Sequence, residues 1–366
     1  MKTIRRLIYR EVISAVLFVA AGFLALFFFF DFVDELPNVG KGGGAYGLTQ
    51  ALVYVVLLQA SHLYELVPIA VLIGTIFVMA RLAQSSEYTI LRTSGLGPWR
   101  ALRSLLVLGA VFTVVTFAVG DYIAPVADRT AQLLKARFQG SISIGQTGAW
   151  LKERRPEHTY TVNVGAMRPD GTLEAVRIFQ AGEDGALVSA TQAETARFAP
   201  EGWVLSQVQQ RLFTDDAKGM PRVENRQLPQ MEWATDLSLE MVTVALLRPE
   251  RMRTVDLFQY IRHLESNAQT TQRYEIEFWR KVFYPLSCLV MVVLALPFAY
   301  LHFRSGGITG FVFGGVLIGI SFFLLNNVFG YIGNLRNWWP WLAAAAPGLI
   351  YSMLSLGAFG WLVLRR

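Results

Sequence analysis

The chain has 366 residues, of which 53% are hydrophobic and only 16% charged, and its net charge is +6. About a quarter of the residues in a soluble domain are charged, so an ordinary soluble protein is excluded. The basic residues are not interleaved with exposed aromatics, which argues against nucleic acid as a partner. The one cysteine, Cys288, rules out an internal disulfide and a cysteine-based metal centre.

The charge deficit is concentrated. Residues 12–33, 50–79, 104–126, 282–303, 308–333 and 340–364 are almost free of charge. A helix rises about 1.5 Å per residue, so roughly 20 apolar residues cross a hydrocarbon core of about 30 Å. Six spans are therefore predicted. Lys2, Arg5, Arg6 and Arg10 ahead of the first run give it the outline of a signal peptide. Its apolar stretch is too long for one, ends in FFFFDFVDEL and meets no small-residue cleavage site, so it reads as an uncleaved span.

Between the second and third spans lies ARLAQSSEYTILRTSG, residues 80–95. Ser85 and Ser86 are good N-cap residues, Glu87 falls in the first turn, Arg92 in the last, and Gly95 sits where a C′ glycine belongs. A short helix over about 84–95 is predicted. Helical spacing puts Glu87, Leu91 and Ser94 on one face and Tyr88 and Arg92 on another. Periodicity alone fits two readings equally: an interfacial helix that closes a turn, or an element that contacts a partner.

After the third span, DRTAQLLKARF places Arg129, Leu133 and Arg137 roughly on one face, with Lys135 nearby. Residues 137–265 have the composition of a soluble protein. HTYTVNVGAM, LEAVRIFQ, ALVSATQAETARF and WVLSQVQQRLF are strand-length and rich in Val, Thr, Ile and Phe. They are punctuated by the turns RPDG, AGEDG and APEG. A compact antiparallel sandwich or jelly roll is expected. A trailing helix over 254–266 is predicted from Leu257, Tyr260, Ile261 and Leu264 at helical spacing. The expected fold is an α-helical membrane protein with six transmembrane helices and an inserted all-β, jelly-roll-like periplasmic domain. Its parts are spans one to three in 1–136, the β domain with its helix in 137–265, and spans four to six in 266–366.

Orientation follows from the basic residues of short loops. The N-terminal tail, the 80–103 segment with Arg81, Arg92, Arg100 and Arg103, the turn with His302 and Arg304, and the terminal Arg365 and Arg366 alternate with loops poor in Lys and Arg. Both termini are expected in the cytoplasm and the β domain outside it.

No catalytic motif is present. There is no GxxxxGK[ST] and no G-x-S-x-G, and the four histidines are scattered one per region and read as structural. Glu65, inside the second run, reads either as a paired or interface residue or as a proton site. A non-catalytic membrane subunit with no cofactor of its own is expected.

Several segments together carry a resemblance. They are FVDEL at 32–36, YELVPIAVLIGTIFVMARLAQSSEYTILRTSG at 64–95, IAP at 123–125, ATQAETARFAPEGWVLSQV in the β domain, and FWRKVFYPLSCLVMVVLALPF opening the fourth span. The chain resembles the lipopolysaccharide export permease family of the LptF/LptG type over its whole length, on the LptG side of that family. The resemblance implies a bacterial inner-membrane subunit that extracts lipopolysaccharide. It further implies a homologous LptF-type permease partner, a dimeric cytoplasmic LptB-type ATPase that holds the ATP and Mg, and a single-span LptC-type protein that carries lipid through the periplasm. It makes the 84–95 segment a coupling helix with Glu87 at the position that enters a groove of the ATPase, and Tyr88, Leu91 and Arg92 beside it.

A site for a phosphorylated lipid needs an apolar wall and cations at its rim. Lys41, Arg129, Lys135, Arg137, Arg280 and Lys281 are the candidates, and Lys135 is the best positional match to the family's basic residue at the end of span three. The family's cation near the end of span one is not matched, because Asp31 and Asp34 occupy that stretch. Each of these cations also fits a residue that merely reaches the headgroup level. Two competing functions are a permease-like subunit that transmits force in lipoprotein release or cell-wall regulation, and a proton-coupled transporter. The latter calls for several intramembrane carboxylates and inverted repeats.

Overall fold

The computed structural model describes residues 2–40, 46–85, 87–93, 95, 97–139, 148–168, 170–200, 202–215, 221–239, 241–242, 249–300 and 308–361. In chain order the main helices are α1 (Lys2–Glu35), α2 (Leu48–Gln84), α3 (Glu87–Thr93), α4 (Pro98–Ala118) and α5 (Ala124–Gln139). Six strands follow: β1 (Ala149–Arg154), β2 (Thr159–Met167), β3 (Leu173–Ala181), β4 (Leu187–Ala199), β5 (Gly202–Asp215) and β6 (Pro221–Trp233). Then come α6 (Thr254–Ser266), α7 (Gln272–Phe283), α8 (Ser287–Ala295), α9 (Ile308–Leu335) and α10 (Pro340–Phe359).

Among the described residues, five helical stretches are long and apolar enough to cross a membrane: Arg5–Asn38, Leu48–Gln84, Pro98–Lys135, Ile308–Leu335 and Pro340–Phe359. Gln272–Phe283 and Ser287–Tyr300 pass the same test together but are bent by 47°; taken as one span they raise the number to six and stand fourth in chain order. The bend falls at Pro285, whose ring and missing N–H interrupt a helix. Contacts divide the chain into two units. One contains Met1–Glu35, Val55–Asp128 and Gln272–Arg366, and the other contains Leu36–Tyr54 and Arg129–Thr271.

In the helical unit, α2 is central. Ala70, Val71, Leu72, Ile76, Val78 and Met79 are all buried. They pack with Ile8, Val12 and Val16 of α1, Leu105 and Leu108 of α4, and Cys288, Met291 and Val292 of α8. The α1 residues recur every fourth position, one ridge of a helix surface. The outward faces stay apolar: Phe18, Phe29, Phe313, Met353 and Leu354 are exposed. Patches of that kind are unstable against water and natural against lipid or a partner.

The β unit is one antiparallel sheet in the order β1-β2-β3-β4-β5-β6. A jelly roll joins non-neighbouring strands; here each strand among the described residues pairs with its sequence neighbour, so the sheet is a meander. Its core face carries Leu151, Val162, Val164, Val176, Ile178, Ala193, Trp203, Leu205 and Val208, closed over by Leu237 and Val242. The indole N–H of Trp203 donates to the Leu237 carbonyl at 2.8 Å. The hairpin glycines Gly171, Gly185 and Gly202 all have positive φ. Helix α6 buries Leu257, Tyr260, Ile261 and Leu264.

Candidate functional site

The coupling-helix candidate is α3, seven residues long. Its C-terminal stop is as predicted: Gly95 has φ +100° and its N–H bonds to the Arg92 carbonyl at 3.1 Å. At the other end, the Ser85 hydroxyl turns back to the Leu82 carbonyl at 3.4 Å, closing α2 rather than capping α3. Ser86 and Ser94 lie outside the described residues.

Tyr88 anchors α3. It is buried, its hydroxyl donates to the Tyr300 hydroxyl at 3.0 Å, and the two rings meet edge to face at 5.2 Å. Arg92 is exposed and its guanidinium lies 5.7 Å from the Tyr300 ring centre. Leu91 is partly buried against the main core. Glu87 and Ile90 are exposed. The four sequence-predicted residues therefore divide: Tyr88 and Arg92 fasten the helix to the span that ends at Tyr300, Leu91 packs on the main core, and Glu87 faces outward.

The cation candidates also divide. In the helical unit, Lys281 is buried and its ammonium donates to the Gly120 carbonyl at 3.0 Å. Gly120 belongs to a π-helical turn, Val119–Ile123, between α4 and α5. Any side chain at Gly120 would overlap the Tyr64 ring. Arg280 donates to the Glu277 carboxylate at 2.9 Å and to the Asn326 carbonyl at 2.8 Å. Both residues thus direct donors at protein acceptors within the helical unit. In the β unit, Arg129 is exposed on α5, and the Lys135 ammonium stands 4.6 Å from the Tyr54 ring centre. Arg137 falls within α5 but its side chain, like the whole of Lys41, lies outside the described residues.

Sequence reading missed the polar density of the helical unit. Asp121, Asp128 and Glu277 are buried. Ser61 donates to Asp128 at 2.7 Å, and His62 meets Asp31 at 2.9 Å while stacking on Phe27. Glu65, singled out as the carboxylate inside a span, has an exposed side chain, and its carbonyl accepts the Tyr284 hydroxyl. The available signal was the clustering of RYEIEFWRK and DYIAP at the ends of apolar runs.

Long apolar helices that carry an inserted antiparallel β domain define a multi-pass membrane protein. Residues 6–365 match the family described as lipopolysaccharide export system permease LptF/LptG. The chain belongs to that family. It is 28% identical over 339 residues to the lipopolysaccharide export system permease protein LptG of Escherichia coli K12, covering 92% of this chain and 90% of that one. It is 25% identical over 368 residues to the protein of the same description from Haemophilus influenzae, covering 100% of this chain and 99% of that one.

Proposed function

We propose that this chain is the permease subunit of an ATP-driven transporter that extracts lipopolysaccharide from the bacterial inner membrane and passes it to a periplasmic bridge toward the outer membrane. The observation that carries this reading is the family match over residues 6–365. In it, an LptF-type permease is the partner in the membrane and an LptC-type single-span protein receives the lipid. A dimeric LptB-type ATPase in the cytoplasm binds ATP and Mg, and this chain performs no hydrolysis of its own. The Arg-rich short loops support cytoplasmic termini and a periplasmic β domain.

Helix α3 is the coupling element in this reading. A short rigid helix bolted through Tyr88 to Tyr300 transmits a displacement that a loose loop would absorb, and exposed Glu87 is the contact offered to the ATPase. For the lipid phosphates we assign Arg129 and Lys135, with Lys41 and Arg137. Arg280 and Lys281 are left out because their donors hold Glu277 and the Asn326 and Gly120 carbonyls.

Lipid mass spectrometry of the purified complex tests the reading. Copurified lipopolysaccharide is expected; phospholipid alone would sink it. Reporter fusions at Gly171 and Ser305 test the orientation and should read out opposite sides of the membrane.

A further inference from the structure

Five neighbouring strands of the sheet are interrupted at one level. The ladder between β2 and β3 runs Val164↔Val176 and then Ala166↔Glu174, skipping Gly165 and Ala175. The same skip continues at Glu194 in β4, at Gln207 in β5 and at Pro229 in β6. Ala175 and Gln207 have φ of 52° and 55°, in the left-handed region. Such conformations cost free energy in non-glycine residues and concentrate at functional positions. Pro229 has no N–H to give a ladder. At Gly165, a Cβ would come within 2.9 Å of the Ala175 Cβ.

The side-chain alternation slips by one at this line. On β3 the buried positions run Leu173, then Val176 and Ile178; on β5 they run Trp203 and Leu205, then Val208. The face opposite the core gains an additional row of side chains as a result. A cavity of about 760 Å³ lies over the crease, and a second of about 410 Å³ adjoins it, sharing Arg168 and Thr195.

The chemistry of the larger cavity is specific in type. Gln192, Gln209 and Gln227 stand directly opposite one another on three successive strands, with Glu194, Thr195 and Gln207 beside them. Strands are about 4.8 Å apart, close to the length of one pyranose ring. Each amide brings two N–H donors and a carbonyl acceptor. Among the described residues no aromatic ring lines the cavity, so it is no stacking platform. Its Arg168 is paired with Glu174, which leaves little net positive charge for a phosphate. Repeated amides, a carboxylate and a hydroxyl at regular spacing match a chain whose every unit offers adjacent hydroxyl groups.

We propose that this crease is a saccharide-binding groove. Resting on the permease reading, its occupant is the polysaccharide portion of lipopolysaccharide. The groove holds the sugar by hydrogen bonds on the solvent face of the sheet, apart from the apolar face that Trp203, Leu205 and Val208 form.

The test uses the full chain in detergent and, as probe, the lipid-free core oligosaccharide released from lipopolysaccharide by mild acid. Saturable binding is expected for the wild type. Gln192→Ala with Gln209→Ala and Gln227→Ala should weaken it by about tenfold or more, since each neutral hydrogen bond contributes modestly and several are removed together. The single Gln209→Leu variant, at an exposed position, covers the case in which the triple variant misfolds and should weaken binding in the same direction. No saturable binding by the wild type, or equal binding by folded variants, overturns the groove. Crosslinking of intact lipopolysaccharide to the helical spans is read in parallel. Its persistence in the variants leaves the permease reading standing whether or not the groove survives, and its absence in the wild type counts against that reading alone.

Discussion

The ammonium of Lys281 occupies the carbonyl of Gly120, and the reason lies one turn further along the chain. In the π-helical turn the Ala124 N–H bonds to the Val119 carbonyl, five residues back. The next donor in that pattern belongs to residue 125, a proline, which has none. The Gly120 carbonyl is therefore left over by the helix, and a side chain from α7 completes it. A buried polar group of this kind needs a partner.

Lys281→Met should lower the thermal stability of the purified chain by about 1–3 kcal/mol, the cost of a buried acceptor left unsatisfied. Gly120→Ala should destabilise by a similar amount, about 1–3 kcal/mol for overpacking, because its Cβ has no room beside Tyr64. Melting curves in detergent check both. Unchanged curves with impaired lipid binding would instead return Lys281 to the lipid site.

The second prediction concerns the His263 imidazole, which burial holds below its ordinary value of 6.5, with Glu153 opposing. The ring lies against Tyr260 and its Nδ1 faces the Asn267 amide at 3.4 Å. Asn267 in turn accepts the Arg154 N–H at 2.8 Å, tying α6 to β1. Between the lowered and the ordinary value the unfolded chain binds more protons than the folded one, so stability rises with pH there. The contribution is intact above about 6.5 and disappears as pH falls through the lowered value. Protection of α6 and β1 against hydrogen exchange in the full chain, taken relative to the intrinsic exchange rate at each pH, should therefore fall between about pH 7.5 and pH 5, and His263→Gln should flatten that dependence. Identical pH profiles for the two proteins would remove His263 from the linkage.

The sequence carried the membrane class and the β insertion plainly, because both are written in charge distribution and alternation. Other features were not legible, each for a physical reason. Strand β6 is exposed along almost its whole length from Arg222 to Glu232, so it has no apolar alternation to detect. The break in the fourth span falls at Pro285, but its angle is set by packing. Lys281 at the edge of an apolar run reads as a headgroup residue until the fold brings Pro125 and the Gly120 carbonyl to it. The crease is marked in the sequence by Gly165 and Pro229 alone, while the left-handed conformations at Ala175 and Gln207 are imposed by tertiary structure on residues that do not announce them. At α3, spacing set Glu87 apart from Tyr88 but grouped Leu91 with Glu87, whereas Leu91 packs against the core; Tyr300, the anchor, lies 212 residues away from Tyr88 in sequence.

The third prediction concerns the cations of α5. Lys135→Glu together with Arg137→Glu should reduce photo-crosslinking of lipopolysaccharide. Each charge-assisted contact with a phosphate contributes about 1.5–3 kcal/mol, and reversal replaces attraction by repulsion. Lys135→Glu also gives up the contact with the Tyr54 ring, at about 0.5–1 kcal/mol for an exposed pair, so Tyr54→Leu serves as the control for that local loss. Crosslinking that stays at the wild-type level in the double variant would assign these cations to the headgroup level only.

The last prediction concerns Glu87. It is exposed in the first turn of α3, while the next residue, Tyr88, is buried against Tyr300. Substitution of Glu87 by Lys forfeits a favourable term at the helix N-terminus of about 0.3–1 kcal/mol, but Lys forms helices as well as Glu does. Glu87→Lys should therefore leave the chain folded while placing a positive charge where the ATPase is expected to present a basic groove. Close charge pairs across an interface couple by roughly 1.5–7 kcal/mol, and reversing one partner strands the other. The expected result is loss of the ATPase on copurification, or retained ATP hydrolysis without lipid release from reconstituted vesicles. Glu87→Ala measures the favourable term at the helix N-terminus, about 0.3–1 kcal/mol, and should have the smaller effect. Tyr88→Phe removes the hydroxyl pair with Tyr300 and leaves Glu87 in place; it should weaken lipid release more than ATPase binding, because it loosens the bolt and not the contact. If Glu87→Lys retains both the ATPase and lipid release at wild-type levels, α3 is an interfacial helix that closes a turn, and force enters the permease elsewhere.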